Sequence, residues 1–150
     1  MARIDDLLAK HLRIGLDTSP FIYLFERHPI YHPLVQPLFT QLKAPQHDAV
    51  TSVITLIETC VQPYRAENYE LVDRYRHALT NAEQVRLVDI TIKIAETAIR
   101  LRAQHNIRVP DALQIATAIE ADATLFITND KQFKRVSGIE VVLLDDLLPA

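Results

Sequence analysis

The stretch that most constrains this chain is Val109–Asp130, where an apolar helix, a short link and a buried strand follow one another and end in an acid. Pro110 suits a first helical turn, because its fixed φ is helical and its missing N–H would go unpaired there anyway. Leu113, Ala116, Thr117 and Ile119 recur at helical spacing, which makes one side of the helix apolar and leaves Asp111 in its first turn. Leu125-Phe126-Ile127 reads as a buried strand, with Asp130 just past its C-terminal end. Such a unit is a piece of a parallel α/β sheet, and in these sheets ligands bind outside the carboxyl ends of the strands.

The remaining chain repeats the alternation. Arg3 to His11 is expected to be a short helix ahead of the domain, so that residues 1–11 form an N-terminal extension and 12–150 a single domain. Leu12 to Leu16 reads as a strand ended by Asp17, and Thr18-Ser19-Pro20 then opens a largely buried helix. Leu34, Leu38 and Leu42 suggest a helix from near Pro33, with Pro37 in its first turn or kinking it. His47 to Thr51 is a second strand and Ser52 to Cys60 a helix that carries Glu58 amid apolar residues. Ala66 to Leu79 is a polar helix, expected to face solvent or a partner. Val85 to Ile90, Thr91 to His105 and Gly138 to Leu143 add a strand, a helix and a last strand. The expected architecture is a three-layer α/β/α fold around a mainly parallel sheet of four to five strands.

Composition narrows the chemistry. At 150 residues the chain is long enough for one well-filled core. Its 2 glycines leave no Walker loop and no GxGxxG. A single cysteine, Cys60, excludes an internal disulfide or a cysteine zinc site and fits a reducing compartment; it is expected to be a small buried residue. Charge near the N-terminus argues against a signal peptide, and no apolar run reaches membrane-spanning length, so a cytoplasmic protein without a membrane partner is expected. A net charge of -3 speaks against plain electrostatic adhesion to nucleic acid, so phosphate chemistry would need local cations or a metal.

Asp17 ends the first strand, Asp130 follows the fourth, Asp111 opens a helix and Glu58 lies on the helix after the second strand. In a parallel sheet with right-handed crossovers, strand ends and helix starts share one edge. Carboxylates gathered there repel each other and resist burial unless a cation offsets them. An all-oxygen set suits Mg²⁺ or Mn²⁺ rather than zinc.

Four segments carry a resemblance. Leu16-Asp17-Thr18-Ser19, Leu56-Ile57-Glu58, the run Pro110–Ala118 and Ile127–Phe133 resemble the acidic motifs of PIN domains, nearest to the VapC-type toxin ribonucleases. The resemblance implies an Mg²⁺- or Mn²⁺-dependent endoribonuclease, the toxin of a type II toxin–antitoxin pair, with Asp17, Glu58, Asp111 and Asp130 as catalytic and metal-site acids. Thr18, Ser19, Thr128, Asn129 and Lys131 become candidates for supporting those acids or touching substrate. An ion held mainly by Asp17 and Asp111 would acidify the attacking water, leaving 5′-phosphate and 3′-hydroxyl ends. The family also implies a small antitoxin that covers the acidic groove, and a homodimer.

Other roles compete for the same residues. Asp17 could be a helix N-cap, Asp111 could serve its helix dipole, Asp130 could cap a turn, and Glu58 could pair with an arginine. Lys131, Lys134 and Arg135 could bind phosphate or form a solvated face, and Arg108 could do the same with less support. His28 and His32 stand four apart, but Pro29 between them favours ordinary surface histidines. Tyr75 is expected in packing or an interface rather than on a base. A PIN-like metal-binding protein without a toxin role remains open. So does a phosphatase or phosphoacceptor built on Asp17, although Ser19 stands where such an enzyme wants a second aspartate.

Overall fold

The computed structural model describes residues 3–149. Met1 and Ala2 of the expected extension, and Ala150 of the expected domain, lie outside the described residues. Helices α1 (Arg3–Lys10), α2 (Thr18–Phe25), α3 (His32–Gln41), α4 (Val53–Arg65), α5 (Tyr69–Asn81), α6 (Ile92–His105) and α7 (Val109–Glu120) alternate with the strands. The strands are β1 (Arg13–Leu16), β2 (Asp48–Ser52), β3 (Val85–Val88), β4 (Leu125–Thr128) and β5 (Glu140–Leu143). All pair in parallel, in the order β3-β2-β1-β4-β5. The expected α/β/α fold and parallel sheet are therefore observed, with five strands among the described residues.

Strand order decides where a ligand can bind. The chain builds β2 and β3 outward on one side of β1, then returns to place β4 on the other side. The crevice between β1 and β4 is thus the switch point, and its carboxyl edge is the position favoured for ligands. Leu16 lies opposite Ile127 in that pairing, so the next residues, Asp17 just past β1 and Thr128 at the end of β4, come side by side.

Alternation along the central strands produces the layers, since successive side chains face opposite ways. Ile14, Leu16, Leu125 and Ile127 join a core with Phe21, Val35, Leu38 and Leu79. Phe126 points the other way, into a core with Ile94, Leu101, Ile115 and Phe133. Gly15 lies under α7, where an added Cβ would come within 2.4 Å of the Ala118 Cβ. A glycine here lets α7, and Asp111 with it, sit close on β1.

Several boundaries differ from the sequence reading. Pro37 lies inside α3 beyond its first turn, because the helix is held by buried Val35, Leu38 and Phe39 against the sheet. Helix α4 continues past Cys60 to Arg65 and carries Pro63 in its last turn. Helix α5 begins at Tyr69, after a turn in which Glu67 takes φ +55. It is not purely a solvent face: Tyr75 is fully buried, against Phe25, and its hydroxyl donates to Glu26. Cys60 is half-buried rather than buried. Helix α1 packs Ile4 and Leu8 into the first core, and buried His11 bridges the Thr124 hydroxyl (2.8 Å) and Glu140 (2.9 Å) at the opposite edge of the sheet.

Candidate active site

Asp17 stands at the N-cap of α2 in extended conformation, and its N–H donates to the Ile127 carbonyl at 3.0 Å. Its carboxylate makes no cap hydrogen bond to α2 among the described residues; it accepts instead from the Thr128 hydroxyl at 2.6 Å. Thr128 in turn accepts from the Asp130 N–H at 3.1 Å, so one hydroxyl couples the two strand-tip acids. The plain capping role considered for Asp17 is thus replaced by a tertiary contact.

Burial dominates the electrostatics here. Asp17 is 9% exposed, and its pKa is pushed up from 3.8 to about 6 by loss of solvent. The Thr128 hydroxyl bond and, less, the nearby Thr18 backbone N–H pull it down, whereas the charges of Glu58 and Asp111 push it further up. Asp111, in the first turn of α7, is raised in the same direction by burial. Arg108 opposes that shift through a 3.2 Å contact from Nε, and the charges of Asp130 and Glu58 add to it. Acids from β1, α4, α7 and the end of β4 are therefore within reach of one another's charge.

Each acid has its own support. Glu58 Oε1 accepts from the Thr18 hydroxyl at 2.7 Å and the Gln114 amide at 3.2 Å. Asp130 caps the 3-10 turn Lys131–Arg135, with Oδ1 accepting from the Gln132 N–H at 3.0 Å. Among the described residues, Arg108 to Asp111 is the one salt bridge that reaches these acids. Ser19 Oγ, at the start of α2, is buried with no hydrogen-bond partner among the described residues.

This donor set fits a hard divalent cation. It is made of oxygens, the buried Asp17 carboxylate is paired with no cationic side chain among the described residues, and the orphaned Ser19 hydroxyl follows two residues along the chain. Among the described residues no three acidic, histidine or cysteine side chains are close enough to ligate one ion together. Mg²⁺ does not need three, since it commonly takes one or two carboxylates and keeps several waters.

The other expected residues fall into two groups. Thr18 and Thr128 hold Glu58 and Asp17, and Lys131 is exposed beside Asp130. Asn129 is occupied at both ends, donating to the Tyr23 hydroxyl at 3.0 Å and accepting from the Asp145 N–H at 2.9 Å. Lys134 and Arg135 turn back onto backbone carbonyls of Val141, Gln132 and His105. Sequence reasoning missed Gln114, Thr55 and Thr51, which lie behind Glu58. A signal for two of them exists: Thr55–Glu58 and Asp111–Gln114 are polar pairs at i,i+3 in otherwise apolar helices, and such pairs share a face.

Comparison with known proteins identifies the family and the fold. The PIN domain family model matches residues 14–139. No curated protein sequence matches the chain. Among solved structures, a toxin–antitoxin complex from Klebsiella pneumoniae is 26% identical with a TM-score of 0.65, covering 87% of this chain and 96% of that one. VapC20 of Mycobacterium tuberculosis, described as a sarcin-ricin loop cleaving toxin, is 20% identical with a TM-score of 0.69. It covers 85% of this chain and 98% of its own. FitAcB from Neisseria gonorrhoeae is 18% identical with a TM-score of 0.67, covering 87% and 97%.

Proposed function

The chain belongs to the PIN domain family, and on that premise we propose that it is a metal-dependent endoribonuclease, the toxin of a toxin–antitoxin pair. The observation that carries this reading is the set of acids gathered at the β1/β4 switch point, with buried Asp17 neutralised by no side chain among the described residues. Mg²⁺ or Mn²⁺ held there supplies Lewis acidity toward water and a phosphoryl oxygen.

The chain's own groups do the rest. Asp17 and Asp111 would hold the ion, and Glu58 and Asp130 would orient water beside it. Thr128 fixes Asp17 through its 2.6 Å hydrogen bond. Exposed Lys131 faces substrate phosphate, and the buried Ser19 hydroxyl supports the acids from behind. The nuclease unit is residues 12–150, with 1–11 as an extension. The Klebsiella pneumoniae match, itself a toxin–antitoxin complex, supports a small antitoxin partner. A homodimer in the cytoplasm completes the reading. No helix among the described residues is long and apolar enough to cross a membrane.

RNA ends test it. Cells expressing the wild-type chain are expected to accumulate discrete RNA fragments with 5′-phosphates, and cells expressing Asp111→Asn are not. Equal fragment levels from both forms, or 2′,3′-cyclic phosphate ends, would overturn the assignment, because an attacking water leaves the ribose 2′-hydroxyl out of the chemistry.

A further inference from the structure

We infer that Gln114 is a positioning residue for Glu58: its amide sets the direction of a buried hydrogen-bond chain that presents Glu58 to the acidic edge as a fixed carboxylate. The inference rests on the nuclease reading and extends it to a residue with no predicted role.

Gln114 is 1% exposed, on the face of α7 that also carries Asp111. Its Nε2 lies 2.9 Å from Thr18 Oγ1, 3.0 Å from Thr55 Oγ1 and 3.2 Å from Glu58 Oε1. Turning the amide over would set a carbonyl oxygen against a carboxylate, so the donor side must face Glu58.

With that side fixed, the direction of the chain follows. Each hydroxyl has one proton to give. Thr51 gives its proton to the Leu16 carbonyl at 2.8 Å, so Thr55 must donate to Thr51 across their 2.7 Å contact. Thr55 then accepts from Gln114. Thr18 likewise accepts from Gln114 and passes its own proton to Glu58 at 2.7 Å. The chain thus has one source, the Gln114 amide, and two ends, the Leu16 carbonyl at the tip of β1 and the Glu58 carboxylate.

Two consequences bear on function. The Thr18 hydroxyl donates to Oε1 of Glu58 and the Gln114 amide nitrogen lies 3.2 Å from the same oxygen, while among the described residues no donor reaches Oε2, which is left for the acidic edge. The members come from β2, α2, α4 and α7, so one side chain ties Glu58's position to the elements that carry Asp17 and Asp111.

Gln114→Met tests the assignment, since methionine has similar length and cannot donate. Thr18→Val, which cuts the relay at its other end, serves as a second variant should the first fold poorly. Each is combined with Glu58→Gln in a double-mutant cycle, read by kcat and KM on RNA and by Mn²⁺ affinity from calorimetry. Gln114→Met is expected to lower kcat and Mn²⁺ affinity by about 10-fold or more with KM unchanged, as for other residues that orient a metal site from behind. In the Glu58→Gln background it is expected to add almost nothing, because its effect passes through Glu58. Wild-type kcat and Mn²⁺ affinity in both variants, or losses that add in full to that of Glu58→Gln, would overturn the role. A wild-type chain that neither binds Mn²⁺ nor cuts RNA would overturn the nuclease reading itself, and this one with it.

Discussion

Asp17→Asn is expected to abolish RNA cleavage while making the metal-free protein more stable. Few substitutions should move two properties in opposite directions so far. Loss of the carboxylate removes a direct hold on the cation, and the catalytic loss is expected to be on the order of 10³-fold or greater. Asparagine keeps the size of the side chain and an oxygen that can accept from Thr128, which lies 2.6 Å away. It also removes a buried charge whose pKa is pushed up to about 6. Single-turnover cleavage and chemical denaturation in chelator, on the same preparation, check both halves. Retained cleavage would place the chemistry elsewhere, and a large loss of stability would mean that the aspartate is a structural cap after all.

The second large effect is a dependence on pH with the reverse of the usual sign. An aspartate in a salt bridge has a lowered pKa and strengthens the fold as pH rises. Asp17 has a raised one, so the folded chain holds its proton more tightly than the unfolded chain does. Stability from this group is fully present below the unfolded value of 3.8 and is lost as pH rises through about 6. At 1.36 kcal/mol per unit, the loss is on the order of 3 kcal/mol by neutral pH. Asp111 shifts in the same direction and adds to it. Other carboxylates cancel when wild type is compared with Asp17→Asn, so the quantity to follow is the gap between them in metal-free buffer. The gap is expected to widen between about pH 4 and pH 6 and to close again when Mn²⁺ is added at neutral pH. A gap that stays constant across that range would contradict the burial argument.

Much of this was legible in the sequence because it depends on local order. An acid directly after a short apolar strand, as at Asp17, or shortly past one, as at Asp130, emerges at the carboxyl edge of a parallel sheet. Pro110 and Asp111 mark a helix start by the chemistry of its first turn. What the sequence did not reveal depends on contacts between distant segments. Tyr75 was expected to pack, but its partner was not legible, since the space beside Phe25 that its ring fills is created only by the folded chain. Pro37 violates a local helix rule and is overruled by packing of the residues around it. Gln114 shares a helical face with Asp111, but its acceptors sit on segments 59 and 96 residues away. Thr128 looked like a supporting residue, but which acid it supports was decided by the pairing of β4 with β1.

The central claim is that side chains from β1, α4, α7 and the end of β4 make one divalent-cation site. Calorimetric titration of the metal-stripped protein with Mn²⁺ at neutral pH tests it most directly, with wild type, Asp17→Asn and Asp111→Asn run side by side. The account predicts saturable binding by wild type and its loss in both variants, each of which remains folded. Undiminished Mn²⁺ binding by either folded variant, or no binding by wild type, would contradict it.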